Sequence, residues 1–71
     1  MEKDYKAIVR TNKVKSMMAL NMDKQVDLAK ALHIATSSLN QKLMGKRNFT
    51  LTDLYIMAKR YNVELSYFLE D

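Results

Sequence analysis

The sequence has no cysteine, no proline, no tryptophan and a single glycine, Gly45. Without cysteine, disulfides and thiolate metal sites are excluded, and the lone histidine, His33, cannot make a zinc site by itself. The fold must rest on packing. Scarce glycine and absent proline also remove the punctuation an all-β chain needs at its turns. Ala, Leu, Met, Lys and Gln dominate instead, a helix-forming set. No apolar run approaches the roughly 20 residues needed to span a bilayer. The opening MEKDYKAIV carries acids and no signal-peptide core. These features predict an all-α, cytoplasmic chain with no membrane association. At 71 residues it makes one domain at most, and a core of that size is marginal unless its helices pack well or a second copy adds to it.

Negative charge is also missing from one region. The net charge of +4 divides into +2 over residues 1–27, +4 over residues 28–52 and −2 over residues 53–71. The middle stretch holds Lys30, Lys42, Lys46 and Arg47 and no carboxylate. A surface helix that only needs to stay soluble usually alternates its charges and gains a little from pairing them. The segment SSLNQKLMGKRNF, residues 37–49, does not. Such one-sidedness is the footprint of a phosphate-facing surface.

Helix starts and stops supply the organisation. Thr50 with Asp53 makes a capping box, Asp standing in for the usual Glu, and Phe49 with Leu54 makes a hydrophobic staple, so a helix begins near Leu51. Leu51, Leu54, Tyr55, Ala58 and Tyr61 follow one face of it to an end near Tyr61 or Asn62, and VELSYFLED allows one more short helix. Gly45 sits where a helix over residues 36–44, with Leu39 and Leu43 inward, needs a left-handed residue. Before it, a helix starting at Asp23 or Lys24 turns Leu28, Ala29 and Leu32 to one side, and a very short turn at His33-Ile34 follows. A first helix starts at Thr11 or Asn12 with Val14, Met17 and Met18 inward. At about 100° per residue, Tyr5, Ile8 and Val9 fall on nearly the opposite side of that helix. Residues 1–11 therefore read as an arm, either folded over its own domain or exchanged with a second subunit, and residues 12–71 as the domain. The six methionines read as core filler, with Met44 a candidate for the surface.

Two short helices joined by a tight turn explain the register of QVDLAKALHIATSSLNQKLMG, residues 25–45. Ala29 is small where two helices at a large angle must cross closely. Here the chain resembles the helix-turn-helix family of lambda-repressor and Cro-like (XRE-type) phage regulators. Gln25 matches its first motif position, Ala29 its small residue, Ile34 and Leu39 its core positions, and Gly45 closes its recognition helix. The resemblance covers residues 12–70 and implies a compact five-helix domain with the helix-turn-helix at about residues 24–44. Two positions depart from the pattern. His33 replaces the usual turn glycine, and histidine tolerates the left-handed region better than most residues. Ala35 replaces the usual Ser or Thr that opens the recognition helix, forfeiting a cap of about 1 kcal/mol unless Thr36 takes the role. The connection between the first two helices also looks one residue longer than usual, with Met22 displaced.

With Leu39 and Leu43 inward, Thr36, Ser37, Asn40, Gln41 and Met44 face outward from the part of the motif that enters the major groove. Short hydroxyls and amides suit base edges, and a Thr or Met methyl can touch the thymine methyl. The resemblance implies base-reading by Thr36, Ser37, Asn40 and Gln41, and phosphate contacts from Gln25 and the loop of Lys46, Arg47 and Asn48, with Lys42 added as a further phosphate contact. One short recognition helix reads few base pairs, so a homodimer is expected on a double-stranded operator. Tyr67, Phe68 and Leu69 of the last helix are the candidate dimer surface, and the Tyr5, Ile8 and Val9 arm the second. The competing reading is a protein-interaction module, an antirepressor or antitoxin acting through that aromatic C-terminus. It leaves the acid-free middle unexplained. No cofactor, metal or small-molecule ligand is expected, nor enzymatic activity. The chain lacks cysteine, a second histidine, a glycine-rich phosphate loop and acid pairs in a plausible cleft.

Overall fold

The computed structural model describes residues 9–69. Within them the chain forms four α-helices, α1 (Thr11–Leu20), α2 (Gln25–Leu32), α3 (Thr36–Leu43) and α4 (Leu51–Tyr61), then a closing 3₁₀ helix (Leu65–Leu69). The expected fifth helix is thus this tighter 3₁₀ segment, which Asn62 initiates by turning left-handed and ending α4.

Every α-helix is closed by a residue with positive φ: Met22 at 51°, His33 at 61°, Gly45 at 82° and Asn62 at 58°. A chain with one glycine must use other side chains at three of these four ends. The left-handed conformation costs a non-glycine residue about 1 kcal/mol, and capped carbonyls offset it. Asp23 N–H donates to the Met18 carbonyl at 2.8 Å, Ile34 N–H to the Ala29 carbonyl at 3.0 Å, and Val63 N–H to the Ala58 carbonyl at 3.0 Å. Met22, the displaced residue of the first connection, is therefore the end of α1, with its side chain left in solvent.

The core is one cluster. Val14 of α1, Leu28 of α2, Leu39 of α3, Met57 of α4 and Phe68 of the 3₁₀ helix are its most completely buried large side chains. One comes from each element, which is how the described residues make a single interior without a sheet. α3 packs against both α1 and α2, while the 3₁₀ helix lies against α1 and α4. At the entry to α1, Arg10 N–H donates to the Phe68 carbonyl at 2.8 Å, joining the two ends of the domain. Val9 packs partly against the core, and the other two arm residues, Tyr5 and Ile8, lie outside the described residues.

Several expectations are corrected here. On α4, Leu51 and Tyr55 point outward, and the buried face is Leu54, Met57, Ala58 and Tyr61. Leu54, Ala58 and Tyr61 keep the expected inward positions, and Met57 joins them in place of Leu51 and Tyr55. Met22 is exposed, as is the surface candidate Met44, so among the described residues only Met18 and Met57 are buried core methionines, with Met17 partly buried against them. Phe68 is wholly buried in its own domain, with Tyr67 and Leu69 half-buried beside it. A small core consumes that phenylalanine, so it offers nothing to a second copy. No helix among the described residues is long and apolar enough to cross a membrane.

Candidate nucleic-acid interface

α2 and α3 are separated by His33, Ile34 and Ala35 alone. His33 takes the left-handed conformation at φ 61° and ψ 40° that a glycine would otherwise supply. Ile34 is half-buried against the core, and Ala29 is buried where α3 crosses α2. Ala35 occupies the cap position of α3 with no side-chain bond, and Thr36 does not replace it. The first turn of α3 therefore keeps its N–H groups and the Thr36 and Ser37 hydroxyls free of that local use.

The face of α3 turned from the core carries Thr36, Ser37, Asn40 and Gln41, all exposed. Asn40 Nδ2 lies 3.4 Å from the Met44 Sδ one turn on, a weak contact. Gln25 is exposed at the start of α2. Past Gly45, Lys46, Arg47 and Asn48 are exposed in a loop tied back to α3, since Lys46 N–H donates to the Gln41 carbonyl at 2.9 Å. Among the described residues, no carboxylate pairs with Lys46 or Arg47.

Lys42 stands apart from this set. It was expected to project toward phosphate, yet it is buried, and its Nζ donates to the Asp53 carboxylate while lying 5.8 Å from the centre of the Phe49 ring. The physical reason lies in the helix: residue 42 is one position before Leu43 and three after Leu39, on the flank of the inward face. Its long aliphatic stem follows those leucines inward, and the ammonium then needs a buried acceptor. Asp53 supplies it.

Asp53 also completes the capping box of α4. The Thr50 N–H donates to Asp53 Oδ2 and the Asp53 N–H to Thr50 Oγ1, both at 3.0 Å. Reading the sequence identified the box and missed the pair. The available signal was that Asp53 is the only carboxylate between Asp27 and Glu64, which makes it the acid nearest in sequence to Lys42.

A second group of charges, between the α1–α2 connection and the end of α4, is satisfied internally. Asp23, in the connection between α1 and α2, receives Arg60 two-pronged, from Nε at 2.8 Å and from the terminal nitrogen at 2.7 Å, together with the Tyr61 hydroxyl. The Arg60 hydrogen bonds hold the Asp23 carboxyl below its usual range. Burial, with the bond to Asp23 second, pushes the Tyr61 phenol well above its usual range. No cluster of His, Asp and Glu among the described residues is arranged to hold a metal ion.

A family model described as helix-turn-helix matches residues 14–68, which takes in all four α-helices except the first turn of α1 and most of the 3₁₀ helix. No curated protein and no solved structure matches the chain.

Proposed function

Because the chain belongs to the helix-turn-helix family of DNA-binding regulators, we propose that it is a sequence-specific transcriptional regulator of the Cro or repressor kind, reading a double-stranded operator through the major groove. The observation that carries this is the exposed, acid-free surface of α3 and its following loop. Gln41 and Asn40 present amides that can pair two-pronged with adenine, and the Thr36 methyl and Ser37 hydroxyl suit a neighbouring base edge. Gln25, Lys46, Arg47 and Asn48 take the phosphates on either side. Lys42, held inward by Asp53, has no part in that grip.

A helix of eight residues reads too few base pairs to find a site alone. The protein acts as a homodimer on half-sites about 34 Å apart. Tyr67 and Leu69 keep part of their surface for a second copy; Phe68 does not.

Selection of bound duplexes from a random pool, followed by titration over a range of salt, tests the reading. Binding should weaken steeply, with a log–log slope of about −0.9 for each phosphate engaged. A flat salt dependence refutes it. In the same assay Gln41→Ala should cost about 1–3 kcal/mol on the selected site and relax its preference, whereas Lys46→Ala should weaken all duplexes alike. Uniform loss in both variants would mean that the recognition helix is turned differently.

A further inference from the structure

The buried Lys42–Asp53 pair is not used by the DNA-contacting surface, yet it joins the two elements that frame it. Lys42 is in the last turn of α3 and Asp53 in the first turn of α4, and residues 44–50 run between them. That segment contains the exposed Lys46, Arg47 and Asn48. It is fixed at one end by the Lys46 N–H on the Gln41 carbonyl and at the other by the Thr50 N–H on Asp53. One oxygen, Asp53 Oδ2, accepts from both Lys42 and Thr50. Lys42 also lies over the ring of Phe49, the buried residue that ends the loop.

Resting on the DNA-binding reading above, we propose that Lys42 and Asp53 are positioning residues, whose buried pair sets the distance between the base-reading face of α3 and the phosphate-gripping loop. A buried ion pair is a poor stabiliser, because removing both charges from water offsets most of their attraction, and an apolar pair of similar volume often serves stability as well. What the ion pair adds is direction. Leucines at these positions would hold α3 near α4 across a range of slides and rotations, whereas an ammonium on a carboxylate already fixed by a capping box has one arrangement. The pair also turns the single acid of this region inward and neutralises it, so no negative charge faces a phosphate.

The test compares wild type, Lys42→Met, Asp53→Asn and the double variant by titration with the selected site and with a scrambled duplex, over several salt concentrations, with helicity followed by circular dichroism. Asn at 53 keeps an oxygen for the Thr50 N–H, and the double variant leaves no buried charge without a partner. Lys42→Met should keep the wild-type salt slope, and all three variants should lose about tenfold in the ratio of affinities for the two duplexes. A Lys42→Met slope shallower by about 0.9 would identify Lys42 as a phosphate contact and overturn the inference. An unchanged affinity ratio in the double variant would overturn it too. So would loss of the double variant's helical signal, since the pair would then hold up the fold and not the register. Failure of the wild type to bind any duplex at low salt would remove the DNA-binding reading itself, and this inference with it.

Discussion

Arg60 and Arg47 carry the same guanidinium and are used in opposite ways. Arg60 is gripped by both oxygens of Asp23, which also accepts from the buried Tyr61, so the end of α4 is locked to the connection between α1 and α2. Arg47 stands exposed in the loop after α3, with no described carboxylate paired to it. In a domain this small, carboxylates are spent where geometry must be held and withheld where a ligand is to be met. The difference predicts that charge changes on the Asp23 side are read in stability, and those on the loop side in binding.

The largest expected effect is that of Asp23→Ala. It strips the Arg60 fork and leaves the hydroxyl of a buried tyrosine without its acceptor, a loss of about 2–3 kcal/mol of folding free energy. Urea denaturation followed by circular dichroism measures it. A loss below about 0.5 kcal/mol, typical of a surface change, would show that the network contributes little and that the two arginines differ less than their surroundings suggest.

Arg47→Ala is the reciprocal case and should be smaller. Its denaturation midpoint should match wild type, while the salt slope for duplex binding becomes shallower by about 0.9. If instead its stability falls by as much as that of Asp23→Ala, the loop is structural, and the contrast between the two arginines disappears.

The sequence carries the exposed, acid-free half of this division and not the paired half. The helix ends are legible because capping chemistry is local: Thr50 with Asp53, Gly45 and His33 each occupy the predicted role. The exposed face of α3 follows from two leucines and the helical period. Long-range partners were not legible. Asp23 meets Arg60 across 37 positions, and Lys42 meets Asp53 across 11, and no periodicity links positions on different helices. Phe68 shows the same limit from the apolar side. An aromatic cluster near a terminus suggests a surface for a partner, but only packing reveals that five elements need that ring to close one core.

The pH profile of stability gives the smallest and most selective distinction. In the fold the Asp23 carboxyl titrates below the ordinary 3.8, held there chiefly by the Arg60 hydrogen bonds. The unfolded chain therefore takes up that proton first on acidification. The associated stability is complete above the unfolded value and disappears as pH falls through the folded one. Tyr61 works in the other sense. Its phenol is raised, mainly by burial, above the ordinary 10, so its contribution is complete below that value and is lost as pH rises through the folded one. Between these limbs the urea midpoint should be level. Asp23→Asn should flatten the acid limb and Tyr61→Phe the alkaline one. Arg47→Gln, changing a cation that no described carboxylate engages, should leave both limbs where they are. An acid limb that moved with Arg47→Gln would mean that this loop cation supports the fold through a folded-state carboxylate, and the loop would then no longer be the region that keeps its charge for a ligand.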